Sequence, residues 1–308
     1  MGGLLMKING KLVLSVILPI PVLIIAYIFI FTFTANGKIV DKYTGKPLVG
    51  LKIPLTLRTI ATDKQGKFSI SFARKGFCFK VSKKDYETTP ASIPSNKPLI
   101  IKLRPTTLSG KVIDAYTNQP IGEAVITLGK QKVKSDYKGS YKLSNVPEKI
   151  NLVTQAPDKK YEALETSISG TANKDLRVCL NPREANAYEY SLIEHGQYED
   201  SYETMHSDSK KLVSKNQYVK YRRQTERELK DLGAGNYEIK TGNLKMLKSW
   251  TNNDVKKTYK NVAEVQTTIE VVTGLGKIPV PMVGHLVKDN GIWAWFLTQE
   301  QMNDAKKL

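Results

Sequence analysis

Few residues in this chain have the type and spacing to do chemistry, and they do not form a set. Ser135-Asp136-Tyr137-Lys138 and Ser207-Asp208-Ser209-Lys210 fit S-x-x-K, a spacing at which a lysine can activate a serine. So short a pattern arises readily by chance, and both stretches read as polar turns. His195, His206 and His285 stand far apart. Acid–base catalysis needs a carboxylate or imidazole in an apolar pocket. Glu264, Glu270 and His285, in strand-like stretches, are the candidates. G-x-S-x-G and H-E-x-x-H are absent, and Gly276-Lys277 runs into Ile278 where a phosphate loop has Ser or Thr. Cys78 and Cys179 are too few for a disulfide scaffold and, with three histidines, give no zinc-ligand spacing. The expectation is a non-enzyme without catalytic residues, metal site or cofactor.

Binding is the chemistry left, and its candidates are aromatic. Trp293, Trp295 and Leu297 fall on one strand face. Tyr198 and Tyr202 recur at helical spacing. With His285 these residues are the candidate cavity or interface, since aromatics favour interfaces.

The elements that would carry them begin with a repeat. Gly37-Lys38-Ile39-Val40-Asp41 returns 73 residues later as Gly110-Lys111-Val112-Ile113-Asp114. The same offset relates Thr62-Asp63-Lys64-Gln65-Gly66-Lys67-Phe68 to Ser135-Asp136-Tyr137-Lys138-Gly139-Ser140-Tyr141. In each, Asp can bond the backbone two residues on and Gly supplies positive φ. Asp63, Gly66, Phe68, Asp136, Gly139 and Tyr141 are thus a structural turn signature, the aromatic opening the next inward-facing strand. Lys67 to Phe72 alternate with period two, the mark of a half-buried strand.

These motifs resemble the carboxypeptidase regulatory-like, or prealbumin-like, repeat, over residues 36–105 and 108–182. The resemblance implies two all-β Greek-key sandwiches, non-catalytic, serving as spacers or binding modules in surface proteins. A related adhesin domain carries a Lys–Asn isopeptide bond. Lys111 and Asn181 would be its positions here, but the first repeat has Arg104 in place of the Asn.

From Arg183 the pattern changes. Glu184 to His195 suit an amphipathic helix broken by Gly196, and Ser214-Lys215-Asn216-Gln217 is a capping box. Long strand-like runs follow, closed by an Asp289-Asn290-Gly291 hairpin turn. Helices first and a meander afterwards is an α+β layout. Gly196-Gln197-Tyr198-Glu199-Asp200-Ser201-Tyr202 and His285-Leu286-Val287-Lys288-Asp289-Asn290-Gly291-Ile292-Trp293 resemble the nuclear-transport-factor-two-like domain fused to some penicillin-binding proteins. Over 183–308 that resemblance implies a cone of helices packed on a bent antiparallel sheet. No transpeptidase domain follows, so it carries no catalytic role.

Leu12–Thr34 holds 23 residues without a charge. About 20 apolar residues span a bilayer as a helix, and a signal peptide's apolar core is about 7–15. An uncleaved transmembrane helix is expected, with 1–11 cytoplasmic on the strength of Lys7 and Lys11. The rest would be extracytoplasmic at the cell membrane of a bacterium.

Charge is concentrated between anchor and cone. Of 47 basic and 29 acidic residues, 26 and 12 fall in 35–182, a net of +14 out of +18. Residues 183–308 carry 19 and 17. An anionic cell-wall polymer or lipid headgroups are the expected partners of 35–182. Nucleic acid is disfavoured, because no aromatics interleave the basic run. A protein partner or a second copy is expected at 183–308. The sequence thus reads as a membrane-anchored surface protein, its basic stalk presenting a binding or assembly domain. The rivals are a scaffold component of an envelope secretion or conjugation machine, and a small-ligand binder or isomerase-like enzyme in the cone.

Overall fold

A computed structural model describes residues 32–94, 97–231, 233, 236–273 and 276–308. The chain forms two compact units. One holds the described residues up to Leu108 with Leu143–Glu148 and Ser169–Ala172. The other holds Ser109–Lys142, Lys149–Ile168 and Asn173–Leu308.

The apolar segment Leu12–Thr34 lies outside the described residues except for its last three. Phe33 and Thr34 are strand and not the end of a helix, because Phe33 pairs with Ala73 in a ladder. Among the described residues no helix is long and apolar enough to cross a membrane.

The first unit contains β1 (Phe33–Asp41), β2 (Lys52–Pro54), β3 (Thr59–Ala61), β4 (Lys67–Ala73), β5 (Cys78–Val81), β6 (Thr89–Ser92) and β7 (Leu99–Leu103). One sheet runs β4-β1-β7, with β1 antiparallel to β4 and parallel to β7. The hairpins β2-β3 and β5-β6 supply the other layer, β2 lying beside β5. Alternation does the work: β4 buries Phe68 and Ile70 and turns Lys67, Ser69 and Ser71 outward. Ile39, Ile53, Phe79 and Leu103 meet these in the core.

The second repeat uses the same seven strands: β8 (Leu108–Asp114), β9 (Val125–Leu128), β10 (Gln131–Lys134), β11 (Ser140–Leu143), β12 (Lys149–Gln155), β13 (Leu164–Ser169) and β14 (Leu176–Val178). Its sheets are β11-β8-β14, with β14 parallel to β8, and β10-β9-β12-β13. The first of these has the order of β4-β1-β7, strand for strand. Each repeat is therefore a β-sandwich.

The rest of the second unit comprises α1 (Pro182–Glu194), α2 (Tyr198–Thr204), α3 (Ser207–Lys210), α4 (Lys215–Asp231), β15 (Asn236–Asn252), β16 (Lys257–Thr273), β17 (Gly276–Asp289), β18 (Ile292–Trp295) and α5 (Gln299–Lys307). Asn181 caps α1, its side chain accepting from Glu184 N, with Pro182 in the first turn. Ser214 and Gln217 form the expected box ahead of α4. The strands make an antiparallel meander β15-β16-β17-β18. Helix α1 packs on its strands. Two features go beyond the sequence reading: β17 starts at Gly276, and α5 follows the last strand behind a Thr298–Gln301 capping box.

Candidate functional site

The site grows from helix α1. Its buried face carries Asn186 and Glu189 between Ala185 and Leu192, so two polar side chains enter the interior and need partners. Asn186 Nδ2 donates to Thr267 Oγ1 on β16 at 2.8 Å. Glu189 accepts from Ser201 Oγ and Thr204 Oγ1 of α2, both at 2.7 Å. Ser201 Oγ lies 2.6 Å from Tyr218 OH on α4, and Trp295 Nε1 of β18 donates to Thr204 Oγ1 at 3.0 Å. One carboxylate network thus ties three helices to the last strand. Burial pushes the Glu189 pKa up to about 7, against the pull of those hydroxyls and of Arg222.

Beside this network lies a cavity of about 430 Å³, lined by α1 and α4 and by the sheet. Ile269, Val271 and Met282 form an apolar wall, and Trp250, Trp295 and His285 also face it. Arg222 is the cation of the lining. Its Nε donates to Tyr218 OH at 3.0 Å, and its guanidinium lies 5.2, 5.7 and 6.0 Å from the rings of Tyr218, Tyr221 and Trp295. Burial works to lower the Arg222 pKa, but Tyr218 and Glu189 outweigh it and hold the group charged. Tyr190 and Tyr237 face the same space, each with its pKa raised by burial.

The sequence-derived candidates are only partly gathered here. Tyr198, His285 and Trp295 line the cavity. Tyr198 donates to Glu226 Oε2 at 2.8 Å. His285 Nε2 sits 3.3 Å from Glu264 Oε2 and stacks on Trp250 at 4.3 Å, and burial lowers its pKa. Tyr202 lies in the helical core instead, donating to Val213 O at 3.0 Å. Glu264 and Glu270 are not in the lining, and Glu270 pairs with Lys240 and Lys277. His195 stays with Ser191 on its own helix, and His206 caps α3.

Trp293 serves another purpose. Tyr116 OH of the second sandwich donates to Trp293 O and accepts from Trp293 N, both at 3.0 Å. Trp293 Nε1 donates to Glu162 Oε1 at 2.9 Å, and Lys288 pairs with Glu162 at 2.8 Å. Cys179 and Leu180 join Ala263, Val265 and Leu286 in one core around them. The second sandwich and the α+β part are therefore welded through an apolar seam.

The turn signature is structural in both repeats. Asp63 Oδ1 accepts from Gln65 N and Lys67 N, and Asp136 Oδ1 from Lys138 N and Ser140 N, all at 2.8–2.9 Å. Gly66 and Gly139 share a φ of 73°, which excludes a Cβ without strain. Phe68 and Tyr141 are buried behind them. The S-x-x-K pairs are not assembled: Ser135 Oγ is spent on Ile121 O, and Lys210 on Glu203. Lys111 is an exposed strand residue, and the Asn181 side chain caps helix α1. Cys78 and Cys179 are free thiols. Among the described residues no cluster of His, Cys, Asp and Glu could hold a metal ion.

Glu189, Arg222, Tyr190 and Tyr237 are not among the sequence-derived site candidates. The available signal was an acid on the Ala185–Leu192 stripe, four residues from one and three from the other.

No family model and no curated protein matches the chain. Solved structures do. A streptococcal ancillary pilin matches at 12% identity and a TM-score of 0.21, over 49% of this chain and 63% of that one. The shaft pilin SpaA of Lactobacillus rhamnosus GG matches at 11% and 0.22, over 48% and 98%. The Bacillus anthracis TIE protein matches at 10% and 0.22, over 87% and 51%. The chain thus spans less than two thirds of the ancillary pilin, and at these scores the likenesses carry no argument about function.

Proposed function

We propose that the protein is a non-catalytic, extracytoplasmic surface protein. It is held at the cell membrane by the apolar N-terminal segment. Its two basic prealbumin-like sandwiches engage an anionic envelope surface, and its α+β part is a nuclear-transport-factor-two-like binding or assembly module. The observation that carries this reading is the placement of charge. The net +14 of 35–182 sits on sandwich surfaces, with Lys52, Lys67, Lys80 and Lys102 exposed on strands whose neighbouring residues are buried. Such a field attracts polyanions.

The test is sedimentation of 32–308 with isolated envelopes, beside a variant carrying Lys52, Lys67, Lys80 and Lys102 changed to Glu. Retention should hold near 0.01 M salt and fail near 1 M, since the Debye length falls from about 30 Å to about 3 Å. The charge-reversed variant should stay in solution at both. Retention of that variant, or salt-independent pelleting, would move the search to protein partners of 183–308.

A further inference from the structure

We propose that one end of the first sandwich docks on an anionic bilayer surface, Leu57 and Phe72 entering the interface and Arg58, Arg74 and Lys75 meeting the headgroups, a placement that rests on the membrane anchoring proposed above.

The end is built from two tight turns. Leu55 N donates to Arg58 O at 2.8 Å and closes the hairpin between β2 and β3. Phe77 N donates to Arg74 O at 3.1 Å and closes the turn after β4. Arg58 Nη2 donates to Ser71 O at 3.1 Å, which brings the two turns together. Phe33, the first residue of β1, pairs with Ala73 at the second turn. The chain therefore enters the sandwich at this end.

Two large apolar side chains stand in water there. Leu57 is 96% exposed and Phe72 66%. Phe72 also holds a φ of 57°, a region that bulky residues seldom enter. Strain held at an exposed aromatic points to a role outside the fold. The second repeat makes the comparison direct. At the offset of 73 residues, Leu57 is matched by Lys130 and Phe72 by Asn145, whose φ is 55°. Asn takes that conformation readily, so the backbone asks for no phenylalanine. Arg58, Arg74 and Lys75 are matched by Gln131, Pro147 and Glu148. The apolar pair and its cations belong to the first repeat alone.

The apolar run ahead of β1 identifies the occupant. Phe33 and Thr34 are strand, which leaves residues 12–31, a run of 20 without a charge. A bilayer core takes about 20 residues as a helix, so no linker is left between lipid and sandwich. The two turns then stand at headgroup level. Residues 55–60 and 71–77 hold Arg58, Arg74 and Lys75 and no acid. Apolar groups at the acyl boundary with cations on the phosphates are how a peripheral surface binds anionic lipid.

Cys78 places a probe at this end without mutation. It is an exposed free thiol whose Sγ lies 3.3 Å from Gly76 O of the second turn, whereas Cys179 is buried. The full chain, labelled there with a polarity-sensitive fluorophore, is reconstituted into two kinds of vesicle. One is phosphatidylcholine alone, the other an equal mixture with phosphatidylglycerol. Flotation at high salt reads the anchor, and quenching of the label by nitroxide lipids reads the docked end. The chain should float with both vesicles, and quenching should be stronger in the mixture. Arg58→Glu should lower the docked population about fivefold or more, the worth of a basic residue near such a surface. Leu57→Ser with Phe72→Asn should abolish quenching while flotation persists. Phe72→Asn alone should leave the melting temperature unchanged or raised, since Asn145 holds the same position. A chain that floats with its label unquenched has this end in water or on a partner protein, which overturns the proposal and leaves the anchor standing. Quenching that ignores lipid charge or survives the double variant overturns it too, as does a fall in melting temperature for Phe72→Asn. A chain that does not float refutes the anchor, and the docked end falls with it.

Discussion

The two sandwiches are built from one pattern and put to different use. Asp41 and Asp114 accept on Oδ1 from the backbone N–H groups two and three residues on, and each takes a tyrosine hydroxyl on Oδ2, from Tyr86 and Tyr161. The next residue in each case is a glutamate. In the first repeat Glu87 pairs with Arg104 of the same sandwich. In the second Glu162 reaches out to Trp293 and Lys288. Tyr43 and Tyr116 stand at the same repeat offset, and Tyr116 closes two bonds on Trp293 while Tyr43 is half-buried beside Arg104 of its own sandwich. A repeat therefore keeps its interior chemistry fixed and acquires a docking face by redirecting two surface residues.

The contrast can be broken most severely at Trp293. Trp293→Ala should cost the second unit about 3–5 kcal/mol, the range for losing a buried aromatic. Hydrogen exchange should show lost protection at Tyr116 and in β14 and none in β1–β7. Equal loss in both repeats would refute the division of labour. Glu189→Gln tests the second unit by pH. The folded-state pKa, about 7, lies above the ordinary 4.5. Stability from this group is therefore complete below about 4.5 and is lost as pH rises through about 7, by about 3 kcal/mol. Denaturant melts from pH 4 to pH 8 should show the Gln variant gaining on the parent across that window, and parallel curves would sink the assignment. A smaller effect separates the homologous tyrosines. Tyr116→Phe should cost about 1–2 kcal/mol through two orphaned backbone groups, and Tyr43→Phe less than about 0.5. Smallest in contrast, Tyr86→Phe and Tyr161→Phe should each cost about 1 kcal/mol and agree with one another, because each removes the corresponding bond to the equivalent aspartate, Asp41 or Asp114.

Legibility in the sequence followed the range of the interaction. The Asp-x-x-Gly turns, the Ser214 box and the Asn290-Gly291 hairpin are settled within a few residues, and each stands where the sequence placed it. The 73-residue offset exposed the repeat because two local motifs had to agree. The cavity is another matter. Glu189 and Arg222 come from different helices, and their partners from a third and from the last strand. No spacing announces such a meeting. Trp293 and Trp295 stand two residues apart on one strand, yet Trp293 joins the sandwich seam and Trp295 the cavity lining. The Thr298–Gln301 box that opens α5 is as local a signal as the Ser214 box.

The Tyr116 hydroxyl has one more consequence. In the sheet order β18 is an edge strand, and an edge offers unpaired N–H and C=O groups to any extended chain. At Trp293 both groups are taken by that single hydroxyl. At Trp295 the carbonyl is taken by His206 N, beside a bridge to Met205. Both stations at which an incoming strand would register on β18 are already filled from within the chain. The fastening of sandwich to sheet is thus also a seal against strand addition, and growth of this sheet by recruitment of another polypeptide is closed at β18.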